Sequence, residues 1–206
     1  MTINDPLTAP VTHLLYLHGF SSSPLSTKAQ YMARAVQRLQ PPVLWWCPQL
    51  PPSPKQAMAQ LADGTRLWPT ALMAVIGSSL GGFYAAVLAR RLACRAVLIN
   101  PAAHPARELA QHIGAQTSWH DPAQTFFFEP HSIAEFEALG SGRITAPADA
   151  LALIAKGDEV LDWREMAAFC TNAQVRLVEG GDHALSDFDA HLPVILDFLQ
   201  GTCCPG

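Results

Sequence analysis

The sequence predicts an α/β fold, a three-layer sandwich in which a mostly parallel sheet carries helices on both faces. Two observations support this. Short apolar runs recur at Val11 to Leu17, Val43 to Cys47, Ala71 to Ile76, Ala96 to Ile99, Ala150 to Ala155 and Gln174 to Val178, and runs of this kind suit strands buried on both faces. Helical patterns separate most of them, at Thr27 to Leu39, Pro54 to Ala62, Leu80 to Arg91, Trp163 to Cys170 and Ala190 to Leu199. Ser53 stands as the cap of the second helix and Pro54 in its first turn, where a missing N–H costs nothing. Alternating strands and helices are best satisfied by parallel strands joined by crossovers, and such sheets place their sites in the loops after the strand ends.

Pro101 to Asp149 breaks the alternation. It holds five prolines, four histidines and the run Phe126-Phe127-Phe128, and is expected to cross above the sheet as a cap over the site. No repeat, low-complexity tract or linker composition interrupts the chain, so one domain over 1–206 is expected.

Composition narrows the function. A chain of 206 residues with 50% hydrophobic content buries about 70% of the surface it exposes when unfolded. Its 13 Lys and Arg against 17 Asp and Glu give a net charge of −4, so there is no basic field for nucleic acid, and none is expected as a partner. Met1 to Pro10 has neither Lys or Arg nor an apolar run, which argues against a secretory signal and for the cytoplasm. Cys47, Cys94, Cys170, Cys203 and Cys204 form an odd set without metal-type spacing, read as free thiols of a reducing compartment. The ending Cys203-Cys204-Pro205-Gly206 lacks the aliphatic residue of a prenylation box. Ala71 to Ala89 is uncharged and of membrane-span length, but Gly77-Ser78-Ser79-Leu80-Gly81-Gly82 divides it into a strand-like and a helix-like half, so no membrane insertion is expected.

That dividing segment carries the chemistry. Gly77-Ser78-Ser79-Leu80-Gly81 matches G-x-S-x-G between an apolar strand and a helix, the setting of the nucleophile turn of α/β-hydrolases. The turn needs small residues two positions either side of the serine, and it lifts Ser79 Oγ above the sheet toward the N-terminal amides of the following helix. Ser78 is the wrong serine for this geometry and is read as structural. A serine hydroxyl needs a base, and the base a partner that fixes its tautomer; in this fold the chain order is serine, acid, histidine. The run ALALIA leads into Lys156-Gly157-Asp158-Glu159-Val160, and QVRLVE into Gly180-Gly181-Asp182-His183. Asp158 and His183 therefore stand at successive strand ends. Glu159 and Asp162 share the Asp158 loop; Asp158 is favoured because it follows the glycine and Asp162 suits a helix cap. Of the other histidines (13, 18, 104, 112, 120, 131 and 191), none stands in the loop directly after the last strand. Asp182 is read as a turn residue.

The early run HLLYL leads into His18-Gly19-Phe20, where such enzymes place one oxyanion donor. The backbone amides of Phe20 and Leu80 are the expected pair. His18 is expected to hold the loop by hydrogen bonding rather than to act as the base. Lys28 has two readings, a solvated helix lysine or, less favoured, a contact for an anionic substrate group.

Taken together, LHGFSSSPLSTKAQ, PQLPPSP, GSSLGGFYA, NPA, GDEVLD and GGDHA, in that order, resemble the YqiA-like family of small bacterial esterases within the α/β-hydrolases. The likeness runs from about Leu14 to Leu199. It implies hydrolysis of simple acyl esters without metal or cofactor, leaves acyl-CoA thioesters open as a second substrate class, and supports Ser79, Asp158 and His183 position by position. The sequence departs from the family at Leu185, where an aromatic residue is expected, and around Phe126 to Ala138. Both departures are expected to flank the acyl pocket, with Phe126 to Phe128 as a strand or wall against the acyl chain rather than ordinary core.

Two other functions compete. A hydrolase-like fold without activity would bind a ligand or partner, and a metal-dependent hydrolase would use His112, His120, Asp121 and His131. The latter lacks any H-E-x-x-H or comparable spacing.

Overall fold

The structure, a computed structural model, describes residues 9–119, 121, 123–140 and 150–201. Six strands, β1 (His13–Leu17), β2 (Leu44–Trp46), β3 (Met73–Ser78), β4 (Arg95–Ile99), β7 (Ala150–Ala155) and β8 (Gln174–Val178), form one sheet in the order β2-β1-β3-β4-β7-β8. Every pairing in it is parallel.

The side chains sort into two cores, one on each face. Along β1, Leu14 and Tyr16 pack with one cluster and Leu15 and Leu17 with the other, and β3 divides Ala74 and Ile76 from Met73 and Val75 in the same way. The helices α1 (Thr27–Val36) and α7 (Phe188–Leu199) cover the first face, while α2 (Pro54–Thr65), α3 (Leu80–Leu92) and α6 (Trp163–Phe169) cover the second. This is the three-layer α/β-hydrolase arrangement, and it explains why the central strands β3, β4 and β7 are buried along their whole length, while β8 at the edge is largely exposed. The chain passes from β1 outward to β2, then returns to β3 on the far side of β1. That reversal opens a crevice at the carboxyl ends of β1 and β3.

The stretch expected to cross above the sheet as a cap has secondary structure of its own. It contains α4 (Pro105–Leu109), an antiparallel hairpin of β5 (Gly114–Thr117) and β6 (Thr125–Phe128), and α5 (His131–Leu139). The α5 residue Phe136 stacks against Tyr84 at 6.1 Å and meets the edge of Phe83 at 6.0 Å. This second cover is why α3 is buried at every position from Leu80 to Ala89. Element ends differ slightly from the sequence expectation: α7 begins at Phe188, already buried in the core, and α1 stops at Val36. No helix among the described residues is long and apolar enough to cross a membrane. Cys47, Cys94 and Cys170 form no disulfide, whereas Cys203 and Cys204 lie outside the described residues.

The β3–α3 junction explains the small residues of G-x-S-x-G. A Cβ on Gly77 would stand 2.0 Å from the Gly81 carbonyl oxygen, and one on Gly81 would stand 2.0 Å from that of Leu17. Backbone lies against backbone, with no side chain able to yield. Gly81→Ala should therefore cost about 3 kcal/mol or more, lowering Tm by roughly 6 °C or more in thermal unfolding.

Candidate active site

Ser79 leaves β3 with φ 57° and ψ −122°, a strained conformation for a residue with a side chain. The surroundings hold it there. Its N–H donates to the Ile99 carbonyl at 2.9 Å, and its carbonyl accepts from Gly82 at 2.8 Å and Ala102 at 3.0 Å. The side chain meets His183, with Oγ 3.0 Å from Nε2. On the far side of the ring, Nδ1 lies 2.7 Å from Asp158 Oδ2. The Asp158 side chain is wholly inaccessible, whereas that of His183 keeps 21% exposure. Asp158 Oδ1 accepts two backbone hydrogen bonds, from Val160 and Leu161, each 2.8 Å. A carboxylate so held accepts the Nδ1 proton, leaving the Nε2 lone pair facing the serine hydroxyl.

The neighbouring acids do other work. Asp162 caps α6 by accepting from Arg164 N–H at 2.9 Å. Glu159 accepts the His183 N–H at 3.0 Å and so holds the backbone rather than the ring. Asp182 accepts from the Ser186 hydroxyl and N–H, and these bonds hold its carboxyl below the usual range. His18 is buried: the Leu50 N–H donates to Nε2 at 3.1 Å, so Nδ1 carries the proton toward the Gly19 carbonyl at 2.9 Å. His131 faces Glu135 and His191 faces Asp187. No group of three metal-ligating side chains assembles among the described residues; His120 lies outside them.

Two residues that shape the site escape sequence reasoning. Asn100 follows β4, is fully buried and has φ 41°. Its Nδ2 donates to the carbonyls of both Asp182 and His183 at 3.1 Å, while Oδ1 accepts from Ala155 N–H at 2.8 Å. One amide thereby ties the end of β4 to the end of β7 and to the histidine loop. Its signal was a polar residue placed directly after an all-apolar strand, in NPA. Lys28 differs from a freely solvated helix lysine. It is half-buried, and Nζ donates to the Ala184 carbonyl at 2.5 Å. Desolvation lowers its pKa, against the opposing charges of Asp182 and Asp158.

Beside Ser79 lies a cavity of about 400 Å³ whose lining includes Gly19, Phe20, Leu80, Tyr84 and Phe126. Leu80 follows the serine in sequence and opens α3, and Gly19, the residue before Phe20, lies close to it in space: a Cβ on Gly19 would stand 3.3 Å from Ser79 Cβ. As the first helical residue, Leu80 has an amide without an intrahelical acceptor. The phenylalanine run divides. Phe126 lines the cavity and meets the edge of Phe20 at 5.7 Å, Phe127 is exposed, and Phe128 is core. The expectation that Leu185 flanks the pocket is corrected: it turns inward with φ 47° and is fully buried in the core beneath α1 and α7.

The sequence matches the model of an uncharacterised protein family, UPF0227, over residues 13–200. The chain belongs to UPF0227. This is the YqiA-like family to which its motifs point. Solved structures share the UPF0227 chain's α/β-hydrolase fold at low identity. An Agrobacterium vitis S4 protein is 18% identical, with a TM-score of 0.71 over 93% of this chain and 90% of its own. Mouse alpha/beta hydrolase domain-containing protein 10 is 16% identical, with a TM-score of 0.67 over 91% and 90%. The esterase domain of a Rhodothermus marinus protein is 17% identical, with a TM-score of 0.62 over 93% and 86%.

Asn100→Ala leaves two carbonyls and one amide without this partner. It should lower stability by about 3 kcal/mol, read as a fall in Tm. Asn100→Asp keeps the acceptor for Ala155 but sets a carboxylate oxygen against the carbonyls of Asp182 and His183 in a fully buried position, and should not recover the loss.

Proposed function

We propose that the protein is a serine hydrolase cleaving carboxylic esters, with thioesters as a second substrate class, through an acyl-Ser79 intermediate. The observation that carries this reading is the unbroken path from Ser79 Oγ through His183 to the buried Asp158, at 3.0 Å and 2.7 Å. Nε2 takes the hydroxyl proton as Oγ attacks the acyl carbonyl, and the tetrahedral oxyanion is held by the amides of Phe20 and Leu80. The C–O or C–S bond to the leaving group then breaks, and the departing atom receives that proton from Nε2. Water enters, gives its proton to the same nitrogen and attacks the acyl carbon; Ser79 leaves with the proton restored. Asp158 stabilises the imidazolium throughout, and no step in this sequence requires a metal or cofactor. Substrates are small molecules, and we assign the protein to the cytoplasm, where Cys47, Cys94 and Cys170 remain reduced.

The test is hydrolysis of nitrophenyl esters and acyl-CoA thioesters of graded length. Ser79→Ala and His183→Ala should each lower kcat by roughly 10⁴-fold or more, and Asp158→Asn by a similar factor through the wrong tautomer. Wild-type turnover by Ser79→Ala would refute the reading. The rate should rise with pH and level off, because a protonated Nε2 cannot accept the serine proton. A flat profile from acid to mild alkali would contradict a histidine base.

A further inference from the structure

The departing alcohol or thiol must take its proton from His183 Nε2, so the leaving group lies on the His183 side of Ser79. The cavity of about 400 Å³ is lined by Gly19, Phe20 and Leu80 and not by His183 or Asp158. Ser79 is not in its lining either, but the cavity borders Phe20 and Leu80, whose amides face the acyl carbonyl, and so is the pocket offered to the acyl group. Its apolar walls include Phe20 and Phe126, while Gln49, Gln60, Gln124 and Thr125 add neutral polar groups. No Asp, Glu, Lys or Arg among the described residues lines it.

Tyr84 also lines this cavity although only 1% exposed. It stands five residues after Ser79 on α3, about 7 Å further along the axis at ~1.5 Å per residue. Its ring is fixed against Phe136 at 6.1 Å and Phe83 at 5.9 Å. Burial raises its pKa, so the hydroxyl keeps its proton and can donate. No described residue hydrogen-bonds to that hydroxyl. The Tyr16 hydroxyl also lacks a partner but is sealed in the core, whereas that of Tyr84 is not among the sealed atoms. A confined hydroxyl beside a cavity, with no protein partner, is placed to meet a ligand.

We propose that Tyr84 is a specificity-determining residue whose hydroxyl donates to an uncharged oxygen in the acyl chain, selecting esters of compact, oxygen-bearing, uncharged acids over plain fatty acids. The proposal rests on the acyl-Ser79 reading. It is tested with isosteric pairs: 4-nitrophenyl 4-methoxybutanoate against hexanoate, and 3-methoxypropanoate against pentanoate. Each kcat/KM is divided by the ester's rate of hydroxide hydrolysis. The wild-type protein should favour the ether member of at least one pair by roughly tenfold, and Tyr84→Phe should remove that preference. The variant's folding is checked by thermal unfolding, and the exchange removes no hydrogen bond within the protein. Turnover of both esters without an ether preference, or a preference that survives in Tyr84→Phe, overturns the role of Tyr84 alone. No turnover above the Ser79→Ala background overturns the acyl-Ser79 reading and this proposal with it.

Discussion

The contact of 3.0 Å between Ser79 Oγ and His183 Nε2 exists only because the ends of β3, β7 and β8 are held at one rim of a parallel sheet. Each strand end delivers one group. The registers that align Ser78 with Ile99, Ile99 with Leu153, and Ala155 with Val178 bring these ends level. Local sterics then raise Ser79: Gly77 and Gly81 allow α3 to start almost in contact with β3, and Gly81 lets the same turn lie on the Leu17 carbonyl at the end of β1. The strain at Ser79 is sustained by the backbone bonds to Ile99, Gly82 and Ala102.

The histidine has a different kind of support. His183 sits in a turn between β8 and α7, and side chains from three other elements bind the backbone of residues 182–184. Asn100 takes two carbonyls, Glu159 the His183 N–H, and Lys28 the Ala184 carbonyl. Such bonds contribute only about 1 kcal/mol each to stability, and the part-buried pair from Asn100 costs more to leave unmade than the exposed bonds from Glu159 and Lys28. The loop is therefore specified chiefly by what it would lose on moving. The ring orientation follows from Asp158, whose own position is set by the amides of Val160 and Leu161.

The sheet and the meeting of Ser79, Asp158 and His183 were legible because their signals are local: largely apolar strands, G-x-S-x-G in its setting, and a chemistry-bearing residue just past each strand. Asn100 and Lys28 were not, since their contacts join residues 55 to 156 positions apart and depend on burial that spacing does not express. The elements within residues 101–140 were not read, because strands of four residues and a helix of five are too short to show periodicity. Leu185 was misplaced for a related reason. A positive φ in a turn directs its side chain inward to the core, which a position two residues from His183 does not reveal. The family match and the low-identity structural relatives give membership and fold; the chemistry must come from the site itself.

The central claim is that Ser79 is a nucleophile activated by His183. Its most direct test is treatment of the folded protein with a fluorophosphonate, followed by peptide mass mapping. The account predicts one covalent adduct, on Ser79, formed far more slowly in His183→Ala. An unlabelled Ser79 in folded protein, or labelling at an undiminished rate without the imidazole, would contradict it.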